Sequence, residues 1–128
     1  MTRKTASDVL VDSSVWLGYL LSKKENARAV IDKENIIKTS ILSLFEIKRR
    51  LIRYTYSLGE IEKMMQFINE RSIVLGLTTQ LTQEAAELSC KHNLHAMDAL
   101  IYATAVKNNL VLITCDNDFR GLDGVIIL

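Results

Sequence analysis

Five short runs rich in β-branched residues punctuate this chain, and the longer segments between them carry helical periodicity. The runs are Asp8–Asp12 (DVLVD), Ile36–Thr39, Ser72–Leu75, Leu110–Thr114 (LVLIT) and Val125–Leu128. Helical patterns cover Val15–Leu21, Glu25–Lys33, Ser40–Tyr56, Leu58–Arg71, Gln80–His92 and Met97–Asn108. Strands that alternate with helices in this way build a layered α/β fold around a mainly parallel sheet. Two of the runs, VLV and LVLI, are apolar throughout, as central strands covered by helices on both faces must be. The first and fourth strands are therefore expected side by side. Asn108 and Asn109 supply a helix stop before the fourth strand, because Asn tolerates the left-handed conformation at a helix end.

A chain of 128 residues buries roughly two-thirds of the surface its unfolded form exposes, so neither a metal nor a disulfide is needed to hold it together. Any metal is expected to serve chemistry. With no proline, no low-complexity linker and no internal repeat, residues 1–128 read as one domain. Apolar stretches such as Ala99 to Val106 fall far short of the ~20 residues that span a bilayer. The opening MTRKTASDVLVD reaches Asp8 and Asp12 before any long apolar region, so no signal peptide is expected and the location expected is cytoplasmic. Cys90 and Cys115 lack a CxxC spacing, which leaves no disulfide framework and no thiolate zinc site.

In open α/β sheets ligands bind beyond the carboxyl ends of the strands. Two acids stand at such ends: Asp12 closes VLVD, and Asp116 follows LVLIT by two residues. Each also has a plain local use. Asp12 can cap the helix that follows, as Ser13 or Ser14 also can, and Asp116 can close a turn in TCDNDF, where Asn117 and Asp118 compete. Asp98 has Leu94, Ile101, Tyr102 and Ala105 at helical spacing, so its carboxylate leaves the apolar face of a helix and needs a partner. That partner is either the amides and dipole of its own helix end or a metal ion. Glu46 shares a stripe with Leu42, Arg49, Arg50 and Arg53, and either pairs with Arg50 across one turn or faces the other acids. Carboxylates about 4 Å apart repel by roughly 4 kcal/mol at an effective dielectric near 20, so a converged cluster persists only with protons or cations among them. Oxygen ligands alone select a hard divalent ion, Mg²⁺ or Mn²⁺.

In chain order, VDSSVWL, LSLFEIKRRL, HAMDALIYATAVKN and LVLITCDNDF resemble the PIN-domain ribonucleases over essentially the whole chain. Within that family the nearest group is the VapC-type toxins of bacterial and archaeal toxin–antitoxin pairs. The resemblance implies a PIN-like three-layer α/β/α sandwich with a five-stranded, mainly parallel sheet. It places the family's four catalytic and metal-holding acids on Asp12, Glu46, Asp98 and Asp116, with Asp118 a further acid and a candidate fifth metal ligand. Supporting hydroxyls fall on Ser14 and Thr114. The activity implied is endonucleolytic cleavage of RNA with Mg²⁺, for which Mn²⁺ can substitute. The partners implied are the RNA substrate, a second copy in a homodimer and a cognate VapB-like antitoxin bound across exposed helices near the site.

Under that resemblance Arg49, Arg50 and Arg53, with Lys48 beside them, are expected to bind phosphates flanking the scissile one; the alternative is an ordinary solvated helix face. Lys23, Lys24 and Arg120 are weaker candidates of the same kind, and Tyr54 and Tyr56 either stack on bases or pack. His92 and His95 lack a third nitrogen or sulfur ligand and read as structural or capping residues. Trp16, Tyr19, Leu20 and the helices that carry Glu46 and Leu58–Arg71 are candidate partner surfaces. Two other roles stay open: a PIN nuclease of RNA processing, and a non-catalytic PIN-like binding module whose acids are caps and surface charges. The net charge of +1, from 16 basic and 15 acidic residues, argues against binding nucleic acid by bulk electrostatics. With four acids gathered at one metal centre, the remaining surface is more basic than that total.

Overall fold

The computed structural model of the protein describes residues 8–128. The segment MTRKTAS, on which much of the signal-peptide expectation rests, lies outside the described residues. In chain order the elements are β1 (Val9–Val11), α1 (Ser13–Ser22), α2 (Glu25–Ile31), β2 (Ile37–Ser40), α3 (Ile41–Arg53), α4 (Leu58–Arg71), β3 (Ser72–Leu75), α5 (Thr79–His92), α6 (Ala96–Lys107), β4 (Val111–Thr114), a 3₁₀ turn (Asn117–Phe119) and β5 (Val125–Ile127). Most ends lie within a residue or two of those expected. The largest difference is at α3, which stops at Arg53 rather than Tyr56. Thr55 adopts a left-handed φ of 62°, and Ser57 opens α4 with a reciprocal cap: its Oγ accepts from the Glu60 amide at 3.2 Å, and Glu60 Oε1 accepts from the Ser57 amide at 3.0 Å. Tyr54, Thr55 and Tyr56 thus form the turn between α3 and α4, closed on one side by the left-handed Thr55 and on the other by the Ser57 cap.

The sheet runs β3-β2-β1-β4-β5, and all four pairings are parallel. The first and fourth strands are neighbours, as their apolar sequences required. Alternation along the central strands divides the core in two. Val9, Val11, Ile37 and Ile113 pack with residues of α1 to α4, whereas Leu10 and Leu112 pack with α5, α6 and Phe119. This is the α/β/α sandwich expected from the sequence.

Trp16 does not belong to any surface. It is fully buried, donates from Nε1 to Thr39 Oγ1 at 3.2 Å and meets the Phe67 ring edge-on, which corrects its expected place on a partner face. Beside it Tyr19 stacks on Phe67 and donates to Asp32 Oδ1 at 2.6 Å. Arg71, at the end of α4, ties down the connection into β2 by donating to the carbonyls of Ile31, Lys33 and Asn35 and to Asn35 Oδ1. Arg71→Ala is expected to cost about 1–2 kcal/mol, since several acceptors lose a charged donor together; the midpoint of a urea melt measures it. No helix among the described residues is long and apolar enough to cross a membrane.

Candidate metal centre

The chain leaves β1 for β2 and β3 on one side of the sheet and then returns to β4 and β5 on the other. A crevice opens at such a switch point, beyond the carboxyl ends of β1 and β4. Asp12 immediately follows β1 and Asp116 stands two residues beyond β4, while α3 carries Glu46 and the first turn of α6 carries Asp98.

Asp12 is 5% exposed. Its Oδ1 accepts from the Ser13 amide at 2.8 Å, and its Oδ2 accepts from Thr114 Oγ1 at 2.7 Å and from Ser14 Oγ at 3.4 Å. Burial pushes its carboxyl above the usual range; the Thr114 and Ser13 hydrogen bonds pull the other way, and the charge of Asp116 adds to the rise. Thr114, itself buried, also accepts from the Asp116 amide at 3.0 Å, and Ser14 Oγ accepts from the Cys115 amide at 2.9 Å. Asp116 Oδ1 in turn accepts from the Asp118 amide at 2.9 Å, which caps the 3₁₀ turn. The local uses weighed for Asp12 and Asp116 are therefore present, and they fix both carboxylates at the crevice.

Asp98, Asp116 and Asp118 each place a carboxylate oxygen within 4.8 Å of the other two. Asp98, half-buried, is pushed up to about 6, first by burial and then by the charges of Asp116, Asp118 and Asp12, with His95 opposing. Although Asp98 lies in the first turn of α6, no amide of that helix is found donating to its carboxylate among the described residues. Glu46 is half-buried and accepts from Ser13 Oγ at 3.4 Å. Burial raises its pKa, and the charges of Asp12 and Asp98 raise it further against the pull of Ser13 and Arg49. Among the described residues it forms no ion pair with Arg50. Five acids thus feel one another's charge, three of them at ligand spacing. The nearby donors are carboxylate oxygens, with no imidazole or thiolate in the group, which fits a hard divalent ion. Like charges this close, which help raise the pKa values of Asp12, Glu46 and Asp98, are what such an ion would relieve.

Asp118 stands closer to this group than its motif position suggested. The signal was the D-x-D spacing of TCDNDF, where an Asx-type turn folds the second acid back toward the first. The cations of α3 divide rather than share one face. Lys48, Arg49 and Arg53 line an apolar groove of about 530 Å³ with Phe45, Ile52 and Met65, and the Arg49 guanidinium lies 5.2 Å from the centre of the Phe45 ring. Arg50 lines a different hollow with Ser14. His95 occupies the N-cap position of α6 without a side-chain cap bond, and His92 meets Tyr102 edge-on. Tyr56 packs on the core, while Tyr54 is 52% exposed.

A family model of the PIN domain matches residues 9–125. Among solved structures the chain is similar to a toxin–antitoxin complex from Klebsiella pneumoniae, with 22% identity, 92% of this chain and 95% of the other covered, and a TM-score of 0.79. It is also similar to VapBC2 from Rickettsia felis bound to a DNA fragment of its promoter, at 16% identity, 94% and 96% coverage and a TM-score of 0.75. A third is VapC20 of Mycobacterium tuberculosis, a toxin that cleaves the sarcin–ricin loop, at 20% identity, 91% and 96% coverage and a TM-score of 0.75. At such identities the likeness is one of fold. No curated protein matches.

Proposed function

This chain belongs to the PIN-domain family, and we propose that it is a Mg²⁺-dependent endoribonuclease, the toxin of a type II toxin–antitoxin pair. The observation that carries the reading is the convergence of Asp98, Asp116 and Asp118 within 4.8 Å, beside a buried Asp12 and a half-buried Glu46. Asp98, Asp116 and Asp118 would hold Mg²⁺ or Mn²⁺, with Asp12 and Glu46 completing the site. Such an ion supplies an acidified water and offsets charge developing on the phosphate.

The chain's own groups then divide the work. Asp12, clamped by Ser13, Ser14 and Thr114, is held in one orientation under the crevice. Glu46, steadied by Ser13 and raised in pKa, is suited to take a proton from the attacking water. Attack by water rather than by a 2′-hydroxyl leaves 5′-phosphate and 3′-hydroxyl ends. The same reading takes residues 1–128 as a single PIN domain, cytoplasmic and homodimeric, silenced by a VapB-like antitoxin; the toxin–antitoxin complexes that share its fold support that partner.

Incubation of the purified chain with cellular RNA tests the reading. New 5′-phosphate ends are expected with Mg²⁺ or Mn²⁺ and none with EDTA. Cleavage that persists in EDTA, or no cleavage by a folded, antitoxin-free preparation, would overturn it.

A further inference from the structure

A narrow trough leaves the acid centre along α1. It begins at Ser14, whose Oγ lies 3.4 Å from Asp12 Oδ2 and from Thr114 Oγ1 and accepts from the Cys115 amide at 2.9 Å. From there it follows one stripe of α1 to Ser22, a run of about 12 Å. Arg50, in the last turn of α3, and Tyr54, which caps its C-terminal end, form the facing wall, and Lys24 stands at the far end. The Lys24 amide donates to the Gly18 carbonyl at 3.2 Å, which fixes where that side chain leaves the backbone. The volume is about 240 Å³, too confined for a duplex.

We propose that this trough is the subsite for a nucleotide flanking the scissile phosphate of a single-stranded RNA, with Arg50 and Lys24 holding phosphate and Tyr54 stacking on a base. The proposal rests on the endoribonuclease reading above. Three observations carry it. The trough abuts the acid centre at Ser14, whose Oγ lies 3.4 Å from Asp12 Oδ2, so a strand cut at that centre can run on into it. Its lining includes two cations and no carboxylate, which complements a polyanion next to a cluster of acids that would otherwise repel one. It also pairs apolar walls from Leu17 and Leu21 with an exposed tyrosine ring, the combination that single-stranded nucleic-acid sites use to take a base of any identity. Arg50 is thereby separated from Lys48, Arg49 and Arg53, which line the groove toward α4.

Steady-state cleavage of a short single-stranded RNA in Mg²⁺ provides the test. Arg50→Ala is expected to raise KM about tenfold, with the effect in KM rather than kcat, and Arg50→Lys to recover part of the loss. Lys24→Ala should raise KM less, and Tyr54→Ala about tenfold through lost stacking. Each lost phosphate contact should also flatten the dependence of log KM on log salt by about 0.7. Lys91→Ala, at the end of α5 across the sheet, removes the same charge and should change neither quantity. If the wild-type enzyme cleaves RNA and Arg50→Ala behaves like Lys91→Ala, the subsite is wrong while the function stands. If instead Arg50→Ala and Tyr54→Ala spare RNA but weaken an acidic peptide from the antitoxin, the trough is a protein-docking surface and the proposal is likewise overturned. If the wild-type protein does not cleave, the function reading fails separately, and the trough is judged by metal-free binding of the same RNA; equal affinity of wild type and Arg50→Ala sinks it.

Discussion

Asp98→Asn is expected to lower Mg²⁺-dependent RNA cleavage more than about 100-fold while slightly stabilising the metal-free protein. Replacing residues that only orient metal ligands costs about 10- to 100-fold, so loss of a carboxylate that itself stands at ligand spacing should cost more. The stability gain follows from the charge balance. The folded-state pKa of Asp98 is raised from 3.8 to about 6 by burial and by Asp116, Asp118 and Asp12. Below about pH 4 the carboxyl is protonated in both folded and unfolded chains and imposes no penalty. Between about pH 4 and 6 the unfolded chain ionises first, so stability falls as pH rises, and above pH 6 the full penalty remains. For a half-exposed group, screening reduces this to the order of 1 kcal/mol. The Asn variant should therefore melt higher than wild type at pH 7 without metal, and the two should converge near pH 4. Added Mg²⁺ should raise the wild-type midpoint and move that of the variant much less. A variant that cleaves at the wild-type rate, or that gains as much from Mg²⁺, would remove Asp98 from the metal site.

Much of this architecture was legible because its causes are local. VLV and LVLI admit no exposed face, which put β1 and β4 side by side inside the sheet, and with them the crevice that holds Asp12 and Asp116. Asp98 was legible because a carboxylate on an apolar helix face has few explanations. What the sequence concealed depends on long-range packing. Arg49, Arg50 and Arg53 fall on one stripe of a helical wheel, yet α1 packs on one side of that stripe and α4 on the other, so the three cations line two different hollows. Trp16 looked like a partner residue because a tryptophan in the first turn of a helix carries no sign of what will cover it; Thr39 and Phe67, which do so, are 23 and 51 residues away. Asp118 was underweighted because its approach to Asp98 needs the turn begun by Asp116 and the N-terminus of α6 to meet.

Thr114→Val should be nearly as damaging as loss of an acid, although the substitution keeps the shape and removes one oxygen. That oxygen donates to Asp12 Oδ2 at 2.7 Å and accepts from the Asp116 amide at 3.0 Å, so one hydroxyl positions two of the five acids of the site. Valine leaves a buried carboxylate and an amide each short of a partner, at about 1–3 kcal/mol apiece, and a total near 3 kcal/mol is expected. The pH dependence gives the mechanism a signature. Among the forces on Asp12, the Thr114 hydrogen bond is the strongest that favours the charged form, and without it the carboxyl rises further. A raised acid destabilises the fold where it is ionised and not where it is protonated, so the deficit should grow as pH rises. Protons also compete with metal for Asp12, so the cleavage defect should ease as pH rises, whereas the loss in Asp98→Asn should persist at every pH. Thr114→Ser keeps the hydroxyl and should restore the pH profile even where the lost methyl group costs some stability. If valine and serine variants showed the same profile, the hydroxyl would be a packing detail and the acids would be positioned by the backbone alone.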